Sequence, residues 1–162
     1  MRAIVGPLLG LLLATLVHPA TAQTTTKRVI SLAAADRIAA AAEAEAKKRG
    51  STVVIVVVDD GGYPIVLRRL DDTQVASVDV GIGKARTAAI FRRPSGVFED
   101  QIKTGRLASL VLPGATPLQG GVPITYQGKV IGAIGVSGNT PQEDEEIALV
   151  GAAAADAALS AR

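Results

Sequence analysis

Two cations two residues apart, Lys84 and Arg86, follow a pair of glycines, Gly81 and Gly83, in a segment with helical apolar spacing. An ammonium and a guanidinium beside such a notch suit a carboxylate or phosphate, which arginine grips with two parallel hydrogen bonds. Charges on a helix face are more commonly just solvated, and Asp79 is near enough in sequence to offer Lys84 a partner. The paired carboxylates Asp59-Asp60 and Asp71-Asp72 resemble acid–base dyads. Neighbouring residues on a strand or turn point apart, however, and Gly61-Gly62 marks the first pair as a turn. No catalytic residue is assigned on these grounds.

The missing residue types exclude more chemistry than the present ones suggest. The chain has no cysteine, one methionine (Met1) and one histidine (His18). Thiol catalysis and disulfides are absent, as are the usual neutral-pH base, zinc ligand and haem ligands beyond residue 18. No metal site is predicted. Nucleic-acid binding is not expected either, because the chain holds only two tyrosines and two phenylalanines and no basic excess beyond the leader.

That leader is Arg2 followed by an apolar stretch from Ala3 to Val17, closing on Ala20-Thr21-Ala22. It reads as a signal peptide over residues 1–22, shorter than a membrane span and interrupted by Pro7 and Pro19. A secreted or periplasmic protein is expected, with no membrane span after cleavage. Without Arg2, the 17 basic residues become 16 against 15 acidic ones. Residues 23–162 are about the length of one ordinary domain.

The positioning elements follow from periodicity and punctuation. Ser31 caps a helix to Arg49, with Leu32, Ala35, Ile38, Ala42 and Ala46 on one face and Gly50 as its stop. Thr52–Val58 reads as a central strand and Tyr63–Leu70 as its hairpin partner, with Pro64 favouring an edge. Val75–Phe91 is a second helix, ended by Pro94. Ser95 is placed to cap a third, running to about Thr104, and Leu107–Leu112 reads either as a strand or as a helix end.

Val122–Tyr126 and Lys129–Ser137 form a second hairpin around Gln127-Gly128. Thr140-Pro141-Gln142-Glu143 opens the last helix with a capping box, and Ile147, Val150, Ala154 and Ala157 form its predicted buried stripe. The order α-β-β-α-α-β-β-α predicts an α+β fold with a mainly antiparallel sheet. Glycines at 120, 121, 132 and 135 leave this hairpin's backbone bare. They suit either close packing of a helix or subunit, or a floor for a flat ligand with Gln119 as a donor.

Four segments together resemble the GlcG/HbpS family, which includes the C-terminal domain of PduO-type proteins. They are V-V-D-D-G-G-Y-P-I-V-L-R-R-L-D at 57–71, G-K-A-R-T-A-A-I-F at 83–91, L-Q-G-G-V-P-I at 118–124 and G-K-V-I-G-A-I-G-V-S-G at 128–138. The resemblance implies a profilin-like or PAS-like antiparallel sheet of about five strands flanked by helices. It also implies assembly into a homo-oligomer and a small-molecule ligand, with haem or another tetrapyrrole the first cofactor to consider. Haem-binding members typically use a histidine, and the first helix here has none. Tyr63 or Tyr126 would be phenolate substitutes, and Lys84 or Lys129 amine substitutes.

The expected ligand contacts are Lys84, Arg86, Gln119, Gly120, Gly121 and Tyr126. Two other functions remain open. One is an enzyme for a small organic acid or carbonyl compound, with Lys84 and Arg86 as its anion anchor. The other is a structural oligomer without a ligand.

Overall fold

The computed structural model describes residues 25–160, so the predicted signal peptide lies outside the described residues. The elements are α1 (Leu32–Arg49), β1 (Val54–Asp59), β2 (Pro64–Arg69), α2 (Ser77–Phe91), α3 (Gly96–Lys103), a 3-10 turn (Leu107–Val111), β3 (Gly121–Tyr126), β4 (Lys129–Ser137), α4 (Pro141–Ala153) and α5 (Ala155–Ser160). The four strands form one antiparallel sheet in the order β2-β1-β4-β3. The described sheet thus has four strands where about five were expected. Leu107, Leu110 and Val111, from the segment that reads as a strand or a helix end, lie exposed on a 3-10 turn. Both edge strands carry a proline, Pro64 and Pro123, which removes a ladder donor at each edge.

β1 is buried on both faces, and its alternation assigns residues to two cores. Val53, Ile55 and Val57 meet the alanine face of α1 together with Ile147 and Ala148 of α4. Val54, Val56 and Val58 meet Ala85, Ala88 and Ala89 of α2 across the opposite face. Local signals set the ends of these elements. Ser31 accepts from the Ala34 N–H, Gly50 closes α1 at φ 69°, and Thr140 with Glu143 forms the capping box. Gln127 and Gly128 both have positive φ, the requirement of a tight two-residue hairpin turn.

Some packing assignments differ from expectation. Leu32 and Val75 are exposed, and α2 begins at Ser77. The last helical stretch breaks at Ala154, and its buried face is Asp144, Ile147, Ala148 and Gly151, then Ala155 and Ala158. Val150 and Ala157 face outward. Ser95 does not cap α3. Its hydroxyl donates to the Leu118 carbonyl and accepts the Gly121 N–H at 2.8 Å, fastening α3 to the start of β3.

Helix α2 lies directly on the glycines of the second hairpin. A Cβ at Gly135 would stand 2.6 Å from the Ala85 backbone nitrogen and would also strike the Gly81 carbonyl. A Cβ at Gly121 would collide with the Lys84 carbonyl group. Within this chain, those bare positions are filled by a helix backbone.

The same approach carries Lys84 to the sheet edge, where its Nζ donates to Asp144 Oδ2 at 2.7 Å and to the Val136 carbonyl at 3.0 Å. Both side chains are at least 95% buried. The other Asp144 oxygen accepts the Asn139 N–H at 3.0 Å. Lys84 on one layer is therefore tied to α4 on the other, and Asp79 is exposed and not its partner. Burial pushes the Asp144 carboxyl above the usual aspartate range, with the Lys84 ammonium opposing that shift.

Two outcomes follow for stability. Gly135→Ala is expected to cost at least about 1–3 kcal/mol, the range for overpacking, and more if α2 cannot shift. A urea midpoint equal to that of the parent would show that the contact is not tight. Lys84→Met leaves a buried carboxylate without its cation, a loss of about 3–5 kcal/mol near neutral pH. Because the folded pKa of Asp144 then climbs further, its stabilising contribution is full below about pH 3.9 and lost as pH rises through the folded value. The deficit should therefore shrink on acidification, and adding Asp144→Leu should recover most of it. A deficit that is independent of pH and unrelieved in the double variant would contradict the pair's role.

Candidate functional site

The expected ligand contacts do not converge. Gly120 and Gly121 at the start of β3 are buried under α2, and the Lys84 ammonium beside them is already bound to Asp144 and the Val136 carbonyl. Gln119 beside them donates through its side chain to Glu145, and its N–H donates to Glu99 Oε2 at 2.7 Å. Glu99 feels an upward push from burial, but the Lys103 ammonium and this N–H outweigh it and hold the carboxyl below its usual range. Arg86 points elsewhere, its guanidinium 5.3 Å from the centroid of the exposed Tyr63 ring. Lys84 and Arg86 therefore do not form a joint anion clamp, and the organic-acid enzyme loses its anchor pair. Asp59 serves its own turn, accepting the N–H groups of Gly61 and Tyr63 at 2.9 Å.

Tyr126 belongs to a different place. It ends β3, about 17 Å along the strand from Gly121 at ordinary strand rise. There the β1–β2 turn, the β3–β4 turn, the residue capping α2 and the chain leading into α1 enclose a groove of about 970 Å³. Its charged residues are Lys27, Arg28, Arg92, Lys129 and Asp60, four cations against one carboxylate. Half-buried Tyr126 and Val130, with the small exposed edge of the core residue Ile131, line it on its apolar side. Next to it, Arg28, Val29, Tyr126, Ile131 and Leu159 line a smaller hollow of about 160 Å³.

Local structure explains why these residues meet. The tight turn at Gln127-Gly128 sets Lys129 back beside Tyr126, its register partner. Ile131 is the extra residue of a β-bulge, because Thr125 pairs with Val130 while Ile124 pairs with Gly132. Arg92 caps α2 at φ 54°, and its positive charge suits a helix C-terminus. The Arg28 guanidinium lies 5.1 Å from the Tyr126 ring centroid.

Sequence reading identified Tyr126 and weighed Lys129, but it missed Lys27, Arg28, Arg92 and the role of Asp60. The adjacent cations Lys27-Arg28 and Arg92-Arg93 were the only signal available, and their convergence depends on long-range packing. Among the described residues, no three His, Cys, Asp or Glu side chains could hold a metal ion, and no helix is long and apolar enough to cross a membrane.

Comparison with known proteins agrees with this fold. Escherichia coli K12 protein GlcG is 42% identical over 77 residues, which cover 48% of this chain and 58% of that protein. The match thus spans little more than half of that relative's length. An uncharacterised 15.0 kDa protein from Citrobacter freundii, encoded between dhaT and dhaS, is 41% identical over 125 residues, covering 74% of this chain and 87% of that protein.

Among solved structures, Klebsiella pneumoniae protein ORFY superposes with a TM-score of 0.77 at 29% identity, covering 88% of this chain and 99% of its own. A double mutant of Streptomyces reticuli HbpS gives 0.75 at 32%, covering 86% and 96%. A PduOC–haem complex gives 0.70 at 25%, covering 78% and 95%. Residues 30–153 match the family model described as haem degrading protein HbpS-like, and the chain therefore belongs to the GlcG/HbpS family.

Proposed function

We propose that this is an exported small-molecule-binding protein whose ligand is haem or another tetrapyrrole carboxylate, held in the groove beside Tyr126. The observation that carries this reading is the groove itself, roomy, walled by Tyr126, Val130 and Ile131, and rimmed by four cations. A porphyrin has a flat apolar face and two carboxylates on one edge, so it calls for that combination. The family description and the haem complex of a structural relative support the same ligand class.

The residues present fit the group. Val130 and Ile131 would pack against the macrocycle, Arg28, Arg92 and Lys129 would meet its carboxylates, and the Tyr126 phenol is the nearest donor suited to iron. Tyrosine ligation favours ferric iron; bound iron would supply the redox chemistry. The Arg28 guanidinium, 5.1 Å from the Tyr126 ring centroid, places a cation beside the phenol that a ligand carboxylate could meet.

Titration with haem should give a saturable Soret shift. Replacing Arg28 and Lys129 with alanine should weaken it roughly tenfold or more, about 1.4 kcal/mol for one charge-assisted contact. Tyr126→Phe should alter the haem spectrum while leaving the affinity for metal-free protoporphyrin nearly unchanged. An unshifted, unsaturable spectrum would reject the tetrapyrrole reading.

A second reading, assembly into a homo-oligomer, is favoured by a separate observation. Leu107, Leu110 and Val111 of the 3-10 turn are 62%, 59% and 80% exposed. Light scattering should give a mass above that of one chain, and Leu110→Glu with Val111→Glu should lower it. A monomeric parent would dismiss assembly.

A further inference from the structure

The chain leading into α1 changes character abruptly at Ile30. Ile30 is 5% exposed, with its Cδ1 against Gly132, and Ser31 caps α1. Residues 25–29 are exposed, belong to no helix or strand, and make no backbone hydrogen bond to another described residue. They lie upstream of residue 30, where the family match begins. Two side-chain contacts hold them over the groove. The Lys27 ammonium pairs with Asp60 Oδ1 at 2.7 Å, and Arg28 stacks on Tyr126.

We propose that residues 25–28 are a charge-held strap across the groove, and that Asp60 is an internal counter-ion displaced from Lys27 by an anionic ligand. The inference deepens the tetrapyrrole reading and rests on it for the identity of that ligand. The Lys27 side chain is 63% exposed and Asp60 26%, so their pair is worth no more than roughly a fivefold change in an equilibrium constant. It is strong enough to bias the strap and weak enough for a ligand carboxylate to break.

The cost of opening is set mainly by Asp60. This carboxylate repels an incoming anion and occupies Lys27, while Arg92 and Lys129 stand on the other walls. The neighbouring Asp59 is held by its own turn, its Oδ1 accepting the Gly61 and Tyr63 amides, and it does not line the groove. Asp60 therefore selects for ligands with enough negative charge to outcompete it. A neutral porphyrin ester gains no such exchange.

The test uses Asp60→Asn, which keeps a residue suited to a turn and removes the charge. Metal-free protoporphyrin should bind this variant roughly two- to fivefold more tightly than the parent at low salt, by faster association, and the gain should shrink as salt rises. Lys27→Ala should bind more weakly than the parent. The dimethyl ester should gain less from Asp60→Asn than the diacid does, because it shares the cheaper opening of the strap but not the relief of repulsion; an equal gain would overturn the counter-ion role. Unchanged or weaker protoporphyrin binding by Asp60→Asn would overturn the counter-ion role.

A ligand-free measurement separates the strap from the ligand class. Trypsin should cut after Lys27 several times faster in Asp60→Asn than in the parent. If the parent binds no porphyrin at all, the tetrapyrrole reading falls while faster cleavage still upholds the strap. Equal cleavage rates would overturn it.

Discussion

The approach of the α2 backbone to the sheet is the constraint from which the remaining geometry follows. Side chains ordinarily hold a helix backbone off a sheet, and Gly121 and Gly135 remove that spacer where α2 crosses β3 and β4. Ala85, Ala88 and Ala89 keep the helix side of the contact equally thin. Nothing larger fits, so the position of α2 is set by backbone contact rather than by interdigitated side chains. Its length then connects two polar regions. Lys84 sits at the buried edge, and Arg92, eight residues on and about 12 Å along the axis, reaches the groove.

The Lys84–Asp144 pair shows what this constraint requires chemically. A lysine brought against Val136 and Gly120 cannot reach water, so it needs an acceptor from the opposite layer. Asp144 supplies it from the first turn of α4, where the Asn139 amide holds its other oxygen. Desolvation of Asp144 offsets much of the attraction, as its raised pKa indicates. The pair fixes how the two helical layers register across the sheet edge more than it adds to net stability.

The elements were legible because their signals are local: the Ser31 and Thr140 caps, the β-branched run of β1, and the Gln127-Gly128 turn. The strand glycines were recognised as a close-approach site, and only the structure identifies α2 as what approaches. Lys84 was misread because a lysine on a helix is normally solvated, and its partner lies sixty residues away in sequence. The groove was the least legible part. Its walls come from four separate connections, and the bulge that seats Ile131 in the α1-side core at the groove's border has no signature of its own in an apolar run.

The same separation explains how a nearly neutral chain makes an anion-attracting site. Much of the remaining charge is neutralised within the surface: Arg68 with Glu43 and Asp36, Arg49 with Glu45 and Glu146, Lys103 with Glu99. These pairs draw Glu43 and Glu45 below their usual pKa range, so they stay ionised and keep their cations occupied into mildly acidic conditions. At the groove, the cations come from a loop, a helix cap and a strand end, where Asp60 is the single lining carboxylate. The positive field there is a residue of imperfect pairing, created by where the chain turns rather than by overall composition. It depends on the sheet ends staying open, and they do because α2 is seated on the glycines toward the other end.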